Sequence, residues 1–437
     1  MSRFADLLKN AESVHKKERE LPKVATAVAS KWSEQQEKFL NTQSPKLVLT
    51  ALAGSGKTSC LLEYARRRRH QKWNFVVFNR SVADEVALRA PENMKVQTAH
   101  QMAYAHFGHD LHHKIKHQIS LSEIQQHIKW VGHQAQKDFA SLVKDVFDQY
   151  LNSSDVQITE HLVSEFEWES FQRKHSDMSW ELSQLLKAVE DIWRASLDPQ
   201  SDFSISHDVY LKRFSMVSDP WKGTFWMLDE GQDWSDAFLS CFKRSAAVSI
   251  RTGDPYQKLY DWRGASRQKW CDPAIEKELW LTDSYRTSKG VEPWVNARLK
   301  SLACPRVWQS ALTEQCSIVM AEENAKNIQS FSPTVVLATR WEDLEKISRQ
   351  LDEYGVANCL NKNSSGTKEG IVLTTIHSAK GLEFERVWIA DNALPLDEHA
   401  VQKARLSYVA LTRAQKSVRI PNIWPHTVNS VSLFDDF

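Results

Sequence analysis

The chain has 437 residues, 42% of them hydrophobic and 25% charged, which is an ordinary globular composition with room for two or three domains. Collagen-like, mucin-like and wholly disordered chains are excluded; no apolar run nears the ~18 residues of a membrane helix, and the polar N-terminus does not read as a signal peptide. The 56 basic and 55 acidic side chains nearly cancel, which at first argues against a nucleic-acid partner, but residues 1–115 carry 19 basic against 11 acidic and the remainder 37 against 44.

Residues 1–30 are charged and helix-prone and read as an N-terminal helical extension. From Lys46, KLVLTALAGSGKTSCLLEYARRRR predicts a short buried strand, a glycine loop and a helix. NFVVFN (74–79) predicts a second strand, SVADEVALRA a helix, and KVQTAH (95–100) a third strand. Strand and helix alternating in this way imply a parallel sheet covered on both faces. Residues 108–205 are helical by periodicity and rich in Gln, His, Ser and Glu, so they read as an inserted helical subdomain. Buried strands return at TFWMLDE (224–230) and AVSIRTGD (247–254), each ending in acidic residues. VVLATR (335–340), a helix near 341–354, VANCLN (356–361) and IVLTTIH (371–377) form a second α/β unit. The predicted organisation is therefore an extension (1–30), a first α/β domain in two parts (31–107 and 206–280) around the helical insertion (108–205), a second α/β domain (281–428), and an acidic tail (429–437).

Glycine is scarce, 13 in all, well below the usual ~7%. Scarce glycines mark positions where the backbone needs them. Gly54 and Gly56 lie in Ala53-Gly54-Ser55-Gly56-Lys57-Thr58, which with Ala51 in the first glycine position fits the phosphate-loop pattern. Small residues let backbone N–H groups close around phosphate oxygens at a helix N-terminus. Lys57 is placed to reach the β- and γ-phosphates, and Thr58 to ligate Mg²⁺. Met227-Leu228-Asp229-Glu230 ends a strand in two carboxylates, one suited to Mg²⁺ and one to orienting or deprotonating an attacking water. Six scattered cysteines form no C-x-x-C pair and fit a reducing, cytoplasmic setting. The 17 tryptophans fit either core filling or aromatic platforms for bases.

Further motifs then appear in a fixed order. They are Asp229-Glu230-Gly231-Gln232-Asp233; Gly253-Asp254-Pro255-Tyr256-Gln257 running on to Tyr260-Asp261-Trp262-Arg263-Gly264-Ala265; Ser284-Tyr285-Arg286; Thr375-Ile376-His377-Ser378-Ala379-Lys380-Gly381-Leu382-Glu383-Phe384; and Tyr408-Val409-Ala410-Leu411-Thr412-Arg413-Ala414. Together they resemble the UvrD/Rep-like helicases of superfamily 1. Phe78-Asn79-Arg80-Ser81, Thr98 to Tyr104 and His207 to Lys212 are most similar to the helicase core of the eukaryotic F-box DNA helicases, although no F-box segment is recognisable.

The resemblance implies an α/β fold of two RecA-like P-loop domains with parallel sheets, a helical insertion in the first and no large insertion in the second. It implies ATP and Mg²⁺ in the cleft between them. The nucleotide would lie on Gln36, Ala53, Gly54, Ser55, Gly56, Lys57, Thr58 and Ser59, with Tyr285 stacked on adenine and Glu383 against the ribose. Thr58 and Asp229 would hold the metal. Lys57, Asp229, Glu230, Gln257, Arg286 and Arg413 would be catalytic, the two arginines acting as fingers on the γ-phosphate. Single-stranded DNA and single-strand/duplex junctions would be the partners, on Asn79, Thr98, His100, Tyr260, Trp262, Arg263, Thr375 and His377. Core packing or a structural hydrogen bond is the alternative for the more peripheral of these. A narrow track of aromatics needs no global basic surplus, so the near-neutral charge ceases to count against DNA. The resemblance also implies 3′→5′ movement.

Three departures carry expectations of their own. Gly231 replaces the usual Ala or Phe and is expected to loosen its turn. Ser59 follows Thr58 where many relatives have an arginine near adenine. Lys362–Gly370 is a short polar loop where full-size relatives insert an accessory domain, which puts duplex processivity in doubt. Arg66–Arg69 are expected to end the helix after the phosphate loop, and four consecutive positions point all round a helix. Histidines between 100 and 133, including His109, His112, His113 and His117, read as solvated helix faces or, less readily, a metal site. The C-terminal Leu433-Phe434 on an acidic tail reads as a frayed end or as a docking peptide for a sliding clamp or another replication or recombination protein. No membrane association is expected, and a monomer is.

Overall fold

In the computed structural model the described residues are 32–116, 118–128, 135–217, 225–244, 248–260, 269–361, 370–394, 399–422 and 424. The N-terminal extension, the C-terminal tail, His117, Trp262 and Arg263 lie outside them, as does most of the loop after residue 361.

The first sheet contains β1 (Lys46–Ala51), β2 (Trp73–Val77), β3 (Met94–Thr98), β4 (Phe225–Leu228), β5 (Val248–Gly253) and β6 (Lys277–Leu281). Their order is β3-β2-β4-β5-β1-β6, and every pair is parallel. A parallel sheet needs crossovers that cover both faces, so its central strands are buried along most of their length. Leu47, Val48 and Leu49 of β1 are all buried accordingly. Asp283–Ser284 (β7) and Gln309–Ser310 (β8) form a small parallel pair between the sheets. The second sheet contains β9 (Ser317–Val319), β10 (Val335–Ala338), β11 (Asn358–Leu360), β12 (Ile371–Thr375), β13 (Phe384–Ile389) and β14 (Ala414–Arg419). Its order is β11-β12-β10-β13-β14-β9, again all parallel. The two parallel sheets are the α/β architecture expected from the sequence. Parallel α/β sheets bind ligands at the carboxyl ends of their strands, and here those ends of β1, β4 and β5 carry the phosphate loop, Asp229 and Asp254.

Between β3 and β4 the chain is helical. The amphipathic helices Gln136–Asn152 and Leu182–Leu197 pack Phe139, Val143 and Phe147 against Leu185, Val189 and Ile192 in a core of their own. Entry and exit of this body are tied by a bridge between Ile115 and Ile205, with Lys116 N–H on the Ile205 carbonyl at 2.9 Å and Ile205 N–H on that of Lys114 at 3.0 Å. The buried Lys114 ammonium donates to the carbonyls of Ala195 (2.7 Å) and Asp198 (2.6 Å) at the end of the second helix. A cation there satisfies carbonyls that have no helical partner. Residues 361–370 suffice to connect β11 to β12, which are adjacent in the sheet.

The arginine run ends the helix after the phosphate loop, as expected, with Arg66 its last residue and Arg67–Arg69 in the turn beyond it. Their side chains hold the outer layer together. Arg67 makes a two-pronged contact with Glu37 (2.8 and 2.9 Å), and Arg68 lies 3.4 Å over the Tyr64 ring while donating to the Leu40 and Thr42 carbonyls. His112 and His113 lean on the His109 and Pro199 carbonyls, and no group of three or more metal-ligating side chains gathers among the described residues. Among those residues no helix is long and apolar enough to cross a membrane.

Ile192 is fully buried. Ile192→Ala should cost about 2–5 kcal/mol, read as a lower urea midpoint of the helical signal in circular dichroism.

Candidate nucleotide site and interdomain cleft

The phosphate loop follows β1 directly. Gly54 and Gly56 have φ of +76° and +83°, a region where only glycine is at ease. Gly54 is also crowded, since a Cβ there would lie 2.3 Å from Ser284 Oγ and 2.8 Å from Arg286 Cβ. The Lys57–Arg66 helix starts at Gly56 with no side-chain cap, leaving its first N–H groups for a ligand. Ser55 Oγ is buried and has no partner. Lys57 Nζ lies 3.6 Å from Glu230 Oε1, and Thr58 Oγ1 donates to Asp229 Oδ2 at 3.1 Å. Lys57, Thr58, Asp229 and Glu230 are therefore brought together as the sequence predicted.

A Mg²⁺ ion and a phosphate chain fit these groups. A hydroxyl beside a carboxylate is the hard oxygen set Mg²⁺ takes, and the orphaned Ser55 hydroxyl and uncapped amides suit phosphate oxygens. Burial and the neighbouring Glu230 charge push the Asp229 carboxyl above its ordinary range, a cost that a bound cation would relieve. Burial would raise Glu230 too, but the charges of Lys57 and Lys380 and the Gln232 amide outweigh it and keep the carboxyl low. Glu230 thus stays ionised, as a base or water-orienting group must. Its backbone is left-handed at φ +49°, one of three such non-glycine residues described. That conformation costs about 1–3 kcal/mol and recurs at functional sites. It is held by the Glu230 N–H on Asp229 Oδ1 (2.9 Å), Gln232 Nε2 on Glu230 Oε2 (2.6 Å) and Trp234 Nε1 on the Asp229 carbonyl (2.7 Å).

Gly231 does not loosen this turn. A Cβ there would sit 2.8 Å from Arg251 Cγ and 3.1 Å from the Trp270 ring, so the missing side chain is what lets that pair pack under the turn. Arg251 is in turn fixed by Glu276 at 3.0 Å.

The second domain closes over the site. Arg413, fully buried at the end of the Ala400–Leu411 helix, donates to Gln257 Oε1 at 3.2 Å, and Gln257 Nε2 donates to Asp254 Oδ2 at 2.7 Å. Burial and the nearby Arg286 charge push the Arg413 pKa down. Arg286 reaches Glu383 Oε1 at 3.3 Å, while its buried Nε has no partner. Glu383 also accepts from Gln415 at 2.9 Å. On the base side, Gln36 is buried, its Oε1 accepting from Ser33 N–H (3.1 Å) and its Nε2 donating to the Ser55 carbonyl (3.2 Å). Tyr285 is 44% exposed, available to stack, and its N–H donates to the Gly54 carbonyl at 2.9 Å. Ser59 Oγ accepts from Arg89 at 3.4 Å, so a guanidinium does stand beside this position, from another element.

Among the candidate DNA residues, Tyr260 lies nearly parallel to Phe78 (centroids 6.0 Å apart, planes at 12°) and donates to the His377 carbonyl at 3.2 Å. The His377 ring stands 6.1 Å away. His100 is half-buried and faces Asp208 at 3.4 Å. Asn79, Thr98 and Thr375 have local duties. Asn79 caps the Arg80–Ala87 helix through Val82 N–H (2.9 Å), Thr98 caps the next helix through Gln101 N–H (3.1 Å), and Thr375 Oγ1 accepts from Ser378 N–H (3.1 Å).

Family models match the chain over nearly its whole described length. Residues 32–271 match the UvrD/REP helicase N-terminal domain and residues 255–422 the UvrD-like helicase C-terminal domain. The chain belongs to the UvrD/Rep helicase family. It is 28% identical to F-box DNA helicase 1 of Gallus gallus over 271 residues, 59% of this chain and 26% of the relative. It is 24% identical to F-box DNA helicase protein 1 of Schizosaccharomyces pombe over 360 residues, 73% and 40% of the two chains. A probable DNA helicase of Mycoplasma pneumoniae is 25% identical over 237 residues, 47% and 44%. The chain thus spans less than half the length of these relatives.

Within this helicase-family chain the geometry adds residues that the motif reading did not single out. Lys380 Nζ crosses the cleft to Asp233 Oδ1 and Oδ2 (2.8 and 2.6 Å) and to the Gln257 carbonyl (2.6 Å), with both side chains nearly excluded from water. Burial pushes the Asp233 carboxyl up, against the pull of Lys380. Phe78 completes the aromatic pair with Tyr260. Both Lys380 and Phe78 stand inside quoted motifs, so their residue types were visible but their partners were not.

Two outcomes follow. Gly231→Ala should lower stability by about 1–3 kcal/mol through overpacking, measured by denaturant unfolding; unchanged stability would mean that Trp270 and Arg251 give way. Lys380→Ala should cost about 3–5 kcal/mol because Asp233 is left buried and unpaired, and adding Asp233→Ala should recover most of the loss.

Proposed function

We propose that this helicase-family chain is an ATP-driven motor on single-stranded DNA, moving 3′→5′ and separating strands at single-strand/duplex junctions. The observation that carries the reading is the cleft itself. Lys57, Thr58, Asp229 and Glu230 of one domain face Arg286 and Arg413 of the other, with Gln257 in contact with Arg413.

ATP with Mg²⁺ would supply the scissile γ-phosphoryl group. Lys57 and the loop amides would hold the phosphates, Thr58 and Asp229 the metal, and Glu230 would orient and deprotonate water. Arg286 and Arg413 would stabilise charge developing in transfer. Gln36 and Tyr285 would hold the base, and Glu383 the ribose once Arg286 turns to phosphate. Closure is favoured while the γ-phosphate bridges the two domains and is lost on hydrolysis, so the grip on DNA alternates between them. Tyr260 and His377 would stack on or border the strand, with Trp262 and Arg263 beside them in sequence.

The short connection between β11 and β12 favours a second job for the same motor. Without an accessory domain there, it would displace bound proteins from single strands with little unwinding of its own. A tailed-duplex panel scored for both strand separation and protein displacement separates the two.

Lys57→Ala and Glu230→Gln should each reduce DNA-stimulated ATP turnover by about 10³-fold or more. Only Lys57→Ala should also weaken nucleotide binding. Stimulated hydrolysis persisting in both variants would overturn the site.

A further inference from the structure

The phosphate loop is gripped by the second domain at a residue that carries no functional side chain. Ala53 is buried, and both of its backbone groups are taken by that domain. Its N–H donates to the Tyr408 hydroxyl at 2.9 Å, and its carbonyl accepts from the Trp308 indole N–H at 2.9 Å. Tyr408 and Trp308 are themselves fully buried. Trp308 is held at its backbone by Asn296 on both sides (2.9 and 2.8 Å). The flanking loop residues are tied as well, Leu52 N–H to the Leu281 carbonyl and the Gly54 carbonyl to Tyr285 N–H, both at 2.9 Å.

The Tyr408 hydroxyl does a second thing. It donates its proton to Asp254 Oδ2 at 2.7 Å, the same oxygen that accepts from Gln257 Nε2. Gln257 Oε1 accepts in turn from Arg413. A continuous hydrogen-bonded path therefore runs from the Ala53 amide through Tyr408, Asp254 and Gln257 to Arg413. Tyr408 and Arg413 stand at the same end of one helix, Ala400–Leu411 and the turn after it. Any rotation that withdraws Arg413 from the cleft also pulls the hydroxyl off Ala53.

We propose that the Tyr408 hydroxyl, assisted by the Trp308 indole, is a positioning device by which the second domain sets the phosphate loop through the Ala53 backbone. The phosphate loop then takes its nucleotide-ready shape only when the second domain is seated. ATP affinity and DNA occupancy become linked through that seating, because each favours the same arrangement. The inference rests on reading the cleft as an ATP site driven by DNA.

Tyr408→Phe keeps the ring and removes only the hydroxyl. The readout is the ratio of affinities for a non-hydrolysable ATP analogue with and without a single-stranded oligonucleotide, alongside kcat and KM for ATP. The variant should lose about tenfold of that coupling and of kcat, the scale of one or two buried hydrogen bonds. Trp308→Phe should shift both in the same direction and serves if the first variant folds poorly. Tyr64→Phe is the control, since it removes a buried hydroxyl of the first domain that donates to the Thr42 carbonyl at 2.9 Å. It should lower stability and leave coupling intact. Wild-type coupling and kcat in both Tyr408→Phe and Trp308→Phe, beside normal DNA-stimulated turnover, would overturn the proposal alone. Equal loss in Tyr64→Phe would reduce it to a stability effect and overturn it too. A wild-type chain with no DNA stimulation would overturn this proposal and the motor reading together.

Discussion

Acidic groups gathered at the carboxyl ends of one sheet must be neutralised by cations, and most of those cations belong to the other domain. Asp229, Asp233 and Asp254 are buried and Glu230 partly so, all within a few residues of β4 and β5. Lys57 answers from the same domain, while Lys380 and Arg413 arrive from across the cleft. Buried carboxylates without such partners would be costly. The first domain is therefore electrostatically incomplete by itself, and closure of the cleft is a requirement of its own charges. A nucleotide with its metal can enter this balance because it brings both signs of charge.

That incompleteness links fold to motion. Parallel sheets expose their strand ends on one edge, and two such edges facing each other create a cleft whose walls belong to different rigid bodies. Contacts that cross it include the charged Lys380–Asp233 pair and the Arg413–Gln257 bond, beside the neutral bonds of Tyr408 and Trp308 to the Ala53 backbone. Directional bonds of this kind can be exchanged between two discrete arrangements. Tyr260 lies at the same seam, bonded to the His377 carbonyl across it, so a strand stacked near Tyr260 would feel the same movement.

The sequence carried the phosphate loop clearly, because two glycines in a poor-glycine chain, followed by Lys57 and Thr58, have few other uses. It carried the strands as well, since KLVLTA and VVLA are apolar without alternation. It carried Asp229, Glu230 and Arg413 by motif, and the two-sheet architecture with them. What it could not carry was pairing. Tyr408 meets Ala53 and Lys380 meets Asp233 only because two chain segments far apart fold onto facing edges. Trp308 had no motif around it at all. Thr98 shows the opposite case, where a local signal was present. Thr98-Ala99-His100-Gln101 is a capping box, and the structure uses it as one. The arginine run likewise marked the helix end, but not that Arg68 turns back over the Tyr64 ring.

The central claim is that the second domain completes the phosphate site. Arg286 tests it most directly, because its buried Nε has no partner among the described residues and its guanidinium is paired with the half-exposed Glu383. The measurement is ATP turnover by Arg286→Ala in saturating single-stranded DNA, beside binding of a non-hydrolysable ATP analogue. The account predicts turnover lower by about 10³-fold with analogue binding within about tenfold of the wild type. Turnover within about tenfold of the wild type would contradict it.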